Sequence, residues 1–142
     1  MSLQENKAIL HRIWEEIFNE GKLEVIDELY APDYVYHGPG GHEVRGIEQL
    51  KQFVTRLRTS FHNLHFTIDE LVAEGDKVVS VWTMRGTYKG KKQVTSPGII
   101  VSRIVEGKVA EDLEMYDKLT IAAQAAPNWI VKGVVSSIAK KR

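Results

Sequence analysis

The stretch from Ile99 to Asp117 alternates apolar and polar residues on either side of a Glu106-Gly107 pair. That pattern predicts a β-hairpin, because the pair tolerates the positive φ of a tight turn. Asp112 and Glu114 then share one face of the second strand, since successive side chains alternate between faces. Burying a carboxylate is costly unless it is paired, hydrogen-bonded or protonated. These acids therefore lie either on a solvated surface or in a functional site.

The rest of the second half also has the pattern of β-strands. Residues 64–68 alternate, and a phase shift at Glu70-Leu71 is typical of a β-bulge. Gly75-Asp76 predicts a turn into a strand from Lys77 to Tyr88, and residues 90–92 predict the next turn. Together with the hairpin, these segments predict a four-stranded antiparallel meander.

The first half has helical periodicity. Apolar residues at helical spacing predict a helix that ends at Gly21, a short second helix that ends before Pro32, and a third from about Gly46 to Ser60. Residues 33–37 are predicted to be extended, and a glycine-rich turn follows them. Helices followed by antiparallel strands predict an α+β fold in which a curved sheet wraps around the N-terminal helices.

Composition narrows the class of protein. Nineteen basic residues balance nineteen acidic ones, so the chain has no electrostatic footprint for nucleic acid. There is no cysteine, which fits a reducing compartment, and no apolar run approaches membrane-spanning length. We expect a soluble cytoplasmic protein of one domain over residues 1–142, with its core at 9–119 and a C-terminal helical extension at 120–142.

The C-terminal extension has its own pattern. Asn128 is a candidate cap for a last helix that carries Trp129 and ends in three basic residues. This helix could be an amphipathic membrane anchor, or it could pack on the domain or on a second subunit. Its short length and weakly basic polar face favour packing.

Three segments resemble a known family. They read NEGKLEVIDELYAPDYVYHGP, GIEQLKQFVTRLRTSFHNLHFTIDELVAEGDKVVSVWTMRGTY and RIVEGKVAEDLEMYD. Over roughly Ile9 to Leu119 the chain is similar to the SnoaL-like polyketide cyclases. These belong to the nuclear transport factor two superfamily, with ketosteroid isomerase and limonene epoxide hydrolase. The resemblance implies a cone-shaped, cystatin-like α+β barrel around an apolar pocket, and a homodimer formed through the convex face of the sheet.

The resemblance also implies site residues. Cyclases of this family use one carboxylate as general acid/base for an aldol ring closure, without metal or cofactor. Its position corresponds to Glu114, and a histidine near the pocket mouth corresponds to His37. Two features depart from the family pattern. Gly98 and Ile100 stand where the cyclases present polar side chains, and the loop at residues 89–93 is shorter, so we expect a different substrate.

Each acid has a structural alternative. In an apolar pocket Glu114 would have a raised pKa suited to proton abstraction, but it could instead pair with Arg103 or Arg85 on a neighbouring strand. Asp112 could perturb the pKa of Glu114, or it could be a structural group at the solvent end of the strand. For Asp117 we favour a structural role as the cap of the next turn.

The other candidates also allow two interpretations. His37 has a pKa suited to proton transfer, but a lone histidine is often only a satisfied polar residue. The histidines lack metal-ligand spacing, so no metal site is expected, and the glycine-rich turn lacks the frame of a phosphate-binding loop. Several aromatic residues could line a pocket for a flat apolar ligand or could simply be core: Trp14, Phe18, Tyr34, Tyr36, Trp82 and Tyr116.

Two functional hypotheses follow. The first is a cofactor-independent cyclase, isomerase or hydrolase, in which Glu114, His37 and Asp112 are catalytic and the aromatic residues bind a small apolar carbonyl or ester substrate. The second is a non-catalytic ligand-binding or accessory protein of the same fold.

Overall fold

The computed structural model describes residues 2–127. The helices are α1 (Leu3–Arg12), α2 (Glu24–Leu29), α3 (Gly46–Ser60) and α4 (Lys118–Ala125), with a π-helical segment at Ile13–Asn19 and a 3₁₀ turn at Pro39–Gly41. The strands are β1 (Tyr30–His37), β2 (Glu43–Arg45), β3 (Phe61–Glu74), β4 (Lys77–Tyr88), β5 (Lys92–Val105) and β6 (Lys108–Met115). The last helix predicted from Asn128 lies outside the described residues.

The strands form one curved, unclosed sheet in the order β2-β1-β6-β5-β4-β3. The α+β fold is confirmed, and β3 to β6 form the predicted antiparallel meander. The sheet is nevertheless larger than the four strands predicted. Strand β1 pairs parallel to β6, and the short β2 pairs with β1. The extended segment predicted at residues 33–37 is thus part of the sheet, and it contributes Tyr34 and Tyr36 to the inner face.

The predicted turns and bulge are present. Glu106 and Gly107 have φ values of 51° and 77° at the β5–β6 turn, as a tight turn with left-handed residues requires. The β3–β4 pairing shifts register between Ile68 and Glu70, where the sequence predicted a bulge. These features set which residues of each strand face inward.

The first predicted helix is two different helices in the structure. It begins as α1, where the Ser2 hydroxyl accepts a hydrogen bond from the Glu5 N–H, and widens into the π-helical segment at Ile13. Arg58 on α3 donates hydrogen bonds of 2.6 and 2.8 Å to the Phe18 and Asn19 carbonyls near the end of that segment. The wide helical segment is thereby fixed against α3, with its apolar side toward the sheet.

The sheet has two unlike faces. The inner face packs against the helices and supplies buried residues of all six strands to the core, among them Tyr34, Val44, Phe66, Val78, Trp82, Val94, Ile100 and Val109. The outer face leaves large apolar side chains exposed, namely Val72, Ile99, Leu113 and Met115. No helix within residues 2–127 is long and apolar enough to cross a membrane.

Candidate active site

A cavity of about 590 Å³ lies between the helices and the inner face of the sheet. Its wall is mostly aromatic and aliphatic, and it includes two acids, Asp112 and Glu114. A lysine, Lys118, also lines it, on the first turn of α4. The cavity therefore offers an apolar ligand a few polar groups at fixed positions, as small-molecule sites generally do.

Glu114 is a buried carboxyl group on this wall. It lies on β6, and only 8% of the residue is exposed. The Tyr36 hydroxyl donates a hydrogen bond of 2.5 Å to Glu114 Oε1. Since Tyr36 belongs to β1, the parallel β1–β6 pairing brings these two side chains together.

Asp112 lies on the same face, one step earlier along β6, and is 3% exposed. It accepts two hydrogen bonds, one of 2.6 Å from the Tyr34 hydroxyl and one of 2.5 Å from the Ser102 hydroxyl. Tyr34 and Tyr36 therefore match Asp112 and Glu114 in order and spacing. Two tyrosine–carboxyl pairs stand side by side across β1 and β6.

The basic partners that the structural alternative required do not contact these acids. Arg103 Nε lies 3.6 Å from Glu111 Oε1 on the outer face. Arg85 Nη1 donates a hydrogen bond of 3.5 Å to the Thr67 hydroxyl. Within residues 2–127, the hydrogen-bond partners of Asp112 and Glu114 are hydroxyl groups, and neither acid forms an ion pair with a lysine, arginine or histidine.

Burial without a cation changes the acidity of both groups. Loss of solvent raises the pKa of Glu114 to about 7; the hydrogen bond from Tyr36 opposes this rise, and the charge of Asp112 adds to it. Loss of solvent likewise raises the pKa of Asp112 to about 6, opposed by the hydrogen bonds from Ser102 and Tyr34. A carboxyl group with a pKa near neutrality can both accept and return a proton at physiological pH.

The six aromatic residues proposed from sequence all line the cavity. The Trp14 indole N–H donates a hydrogen bond of 3.1 Å to the Ser80 hydroxyl, which anchors the π-helical segment to β4. The Trp14 ring contacts Phe18 and Trp82, with centroids 5.2 and 6.3 Å apart, and Trp82 contacts Tyr116 at 6.0 Å. These side chains are core residues that also form the cavity wall, so the two interpretations of them are compatible.

His37 is not brought to the cavity. It follows Tyr36 on β1, so its side chain points to the opposite face, where its ring nitrogens lie 3.2 Å from Glu111 and 3.5 Å from Glu43. This geometry gives no support to the predicted catalytic role of His37, because strand alternation places its side chain and that of Glu114 on opposite faces of the sheet. Asp117 has the predicted capping role, since its carboxylate accepts hydrogen bonds from the Leu119 and Thr120 N–H groups at the start of α4.

Sequence reasoning missed the pairing of the tyrosines with the acids and the role of Ser102. A signal for the pairing was present, because Tyr34 and Tyr36 have the same two-residue spacing as Asp112 and Glu114. This matching spacing predicts a pairing only if β1 and β6 are known to be parallel neighbours, which the sequence did not indicate. Ser102 alternates with Ile100 and Ile104 on β5, and its inward position follows from that alternation.

With this geometry in hand, comparison with protein families gives a match over most of the chain. The family model described as SnoaL-like polyketide cyclase matches residues 8–125. A search of curated proteins found no match.

Solved structures share the fold. A candidate polyketide cyclase from Acidithiobacillus ferrooxidans is 29% identical, with 88% of this chain and 97% of that chain covered and a TM-score of 0.74. A second, from Bacillus cereus, is 27% identical over 88% of this chain and 85% of that chain, with a TM-score of 0.77. A candidate SnoaL-like cyclase from Jannaschia sp. CCS1, at 24% identity over 87% of this chain and 94% of that chain, superposes with a TM-score of 0.80.

Proposed function

The chain belongs to the SnoaL-like polyketide cyclase family, and on that premise we propose that it is a cofactor-independent enzyme of the cyclase or isomerase type. Glu114 is the general acid/base, and the substrate is a small, largely apolar carbonyl or ester compound. The observation that carries the proposal is the buried Glu114 carboxyl group on the cavity wall, hydrogen-bonded by Tyr36 and unpaired with any cation of the described residues.

The reaction begins at a carbon next to a carbonyl group. The ionised Glu114 takes a proton from that carbon, and the electron pair of the broken C–H bond forms an enolate. In a ring closure, the enolate carbon then attacks a second carbonyl carbon of the same molecule. A C–C bond forms, and the oxygen of the attacked carbonyl takes the proton from Glu114. In an isomerisation, the proton returns to another carbon. Both sequences conserve atoms and electrons.

An enolate oxygen needs a hydrogen-bond donor in the site. The Tyr36 and Tyr34 hydroxyls already donate to the two acids. We assign the donor role to Tyr116, which lines the cavity two residues beyond Glu114 and is only partly buried. Burial raises the pKa of Tyr116, and the charge of Glu114 adds to this, so its hydroxyl keeps its proton for donation at neutral pH.

The experiment is a turnover screen of enolisable β-keto esters, cyclisable polyketide esters and steroid ketones against three proteins. These are the wild type, Glu114→Gln, and Glu111→Gln as the matched control from the outer face of the same strand. Loss of a general acid/base typically lowers kcat by about 10²–10⁴-fold. We expect that loss in Glu114→Gln and a change within about twofold in Glu111→Gln. A substrate that Glu114→Gln turns over at the wild-type rate would dismiss Glu114 as the base.

One observation favours a non-catalytic alternative. Gly98 and Ile100 both face inward on β5, and neither supplies a polar side chain to orient a substrate. A protein that only binds an apolar ligand needs no such group. It would bind members of the screen, detected by quenching of tryptophan fluorescence, and turn none of them over.

We also infer that a second copy of the chain packs on the outer face of the sheet. Across β3 to β6, the pairing register aligns Val72, Val79, Val101 and Leu113 in one row. Ile99 and Met115 pair in a neighbouring row, and 65% of Met115 is exposed. An apolar face of this extent, rigid and centred on the sheet, suits a homodimer.

A further inference from the structure

Trp82 on β4 faces Gly98 on β5, and the contact leaves no room for a side chain at position 98. A Cβ atom placed on Gly98 would lie only 2.0 Å from Trp82 Cζ2 and 2.3 Å from Trp82 Cη2. Residues 82 and 98 are directly paired in the β4–β5 ladder. The missing side chain lets the indole lie across β5, toward the β6 side of the cavity where Glu114 and Tyr116 stand.

The indole N–H of Trp82 is unusual because it is a buried donor without an acceptor in the described part of the chain. Trp82 Nε1 is completely buried and has no hydrogen-bond partner among the residues described. Trp14, the other tryptophan that lines the cavity among residues 2–127, donates its N–H to Ser80. A buried donor without an acceptor is destabilising, and native structures keep few of them. An unpaired N–H beside a reactive acid is therefore a candidate for a functional contact.

We propose that Trp82 is a positioning residue for Glu114. Its indole N–H holds the ionised Glu114 carboxylate in place for proton transfer. The inference rests on the proposed function of Glu114. The carboxyl group accepts from Tyr36 through Oε1, on the β1 side, while Trp82 approaches from the β4 side. In the proposed arrangement, the carboxyl group turns about its last side-chain bond so that an oxygen accepts a hydrogen bond from the indole N–H. The ionised acid then has a donor on each side.

The groups around the carboxylate explain why a second donor matters. The titratable side chains near Glu114 or sharing its cavity wall are Asp112 on the same strand, Tyr30, Tyr34 and Tyr36 from β1, Tyr116 just after β6, and Lys118 on α4. Burial and the Asp112 charge disfavour ionisation of Glu114, whereas an N–H donor placed as close as that of Trp82 favours it. Removing that N–H leaves the ionised base less stabilised.

The experiment uses Trp82→Phe, which keeps an aromatic ring and removes the N–H, with Trp14→Phe as the matched control from the same cavity. Carboxyl ¹³C NMR follows the titration of Glu114 in each protein. A hydrogen bond to a charged group corresponds to about one pKa unit, so we expect Trp82→Phe to raise the pKa of Glu114 by about that amount. Trp14→Phe should leave it within about 0.3 unit, on the same scale. With an active substrate, Trp82→Phe should lower kcat about tenfold near pH 6 and change KM less than about threefold.

The wild type offers a second readout that needs no tryptophan variant. The Trp82 indole N–H resonance should move with the titration midpoint of Glu114, and this movement should vanish in Glu114→Gln, while the Trp14 resonance stays in place. An unmoved Trp82 resonance, an unchanged Glu114 pKa in Trp82→Phe, or an equal change in Trp14→Phe would overturn the proposal. So would a rise in KM alone, which would assign the N–H to the ligand. Turnover by Glu114→Gln would instead overturn the proposed function, because the titrations require no substrate.

Discussion

On the outer face of β6, the Glu111 carboxylate lies 3.2 Å from a His37 ring nitrogen and 3.6 Å from Arg103, with 46% of its side chain exposed. On the inner face of the same strand, Asp112 and Glu114 are buried and accept hydrogen bonds from hydroxyl groups. The three acids lie within four residues of one another. Strand alternation alone gives the same chemical group two opposite environments.

This contrast separates structural acids from functional ones. An exposed ion pair such as that of Glu111 contributes little to stability, since water and salt screen it. A buried carboxylate without a cation lowers stability when it ionises, because no partner compensates the loss of hydration. Ionisation of Asp112 and Glu114 is therefore unfavourable beside the apolar cavity. Buried acids with such perturbed ionisation are typical of catalytic sites.

The largest expected effect tests the hydrogen bonds of the inner face. Asp112→Ala leaves the Tyr34 and Ser102 hydroxyls buried without their acceptor. At pH 5, where Asp112 is largely protonated in the native state, we expect the free energy of unfolding to fall by about 2–4 kcal/mol. Glu111→Ala should cost less than about 1 kcal/mol. Urea denaturation of both variants measures the difference, and equal losses would remove the distinction between the faces.

A smaller effect on the free energy of unfolding tests ionisation of the Glu114 carboxyl group on the inner face. The pKa of Glu114 is about 7 in the folded protein, above its ordinary value of 4.5, so the folded state binds more protons between those pH values. The stability of the wild type should therefore fall as pH rises from about 4 to about 7, by a few kcal/mol. Glu114→Gln lacks this contribution and should be more stable than the wild type at pH 8, by about 2 kcal/mol.

Calorimetric Tm values from pH 4 to pH 8 measure this dependence. Asp112 keeps its own, smaller contribution in Glu114→Gln, so the slope should be reduced rather than abolished. Glu111→Gln is the control and should follow the wild-type slope. If Glu114→Gln instead lost stability at pH 8, its carboxylate would be a favourable group in the fold.

The smallest effect on the fold should come from the outer face itself. Leu113 lies between the two inner acids in sequence, but 50% of it is exposed. Leu113→Lys should change the free energy of unfolding of the monomer by less than about 0.5 kcal/mol. It should dissociate the proposed homodimer, because it places a charge in the apolar row. Light scattering at micromolar concentration should give a dimer for the wild type and a monomer for the variant; a monomeric wild type would contradict the proposed interface.

Local features of this fold were predictable from sequence. The helix Gly46–Ser60 and the strand Lys77–Tyr88 have the predicted bounds, because their apolar periodicity is clear. Gly46 marks the start of the helix, and Gly75 and Gly90 flank the strand. The shared face of Asp112 and Glu114 also followed from a local pattern, the alternation of the β5–β6 hairpin, but that pattern left open whether the face is buried. Each of these features depends on neighbours in the chain.

The main missed feature is long-range. The parallel contact of Tyr36 with the Asp112 region joins segments far apart in sequence, and no turn signal announces it. His37 was placed near the cavity by family resemblance, although its alternation with Tyr36 predicts the opposite face. The hydrogen bond from Ser102 to Asp112 lies within the predicted hairpin, but it depends on the register of β5 with β6, which shifts between Arg103 and Ile104.

The overlap of Trp82 with position 98 also limits the routes by which such a chain can diversify. A lineage that gains a polar side chain at position 98 must first replace the indole with a smaller group, since the reverse order passes through a clashing intermediate. Positions 82 and 98 should therefore covary among relatives, with glycine accompanying tryptophan and larger residues accompanying smaller partners.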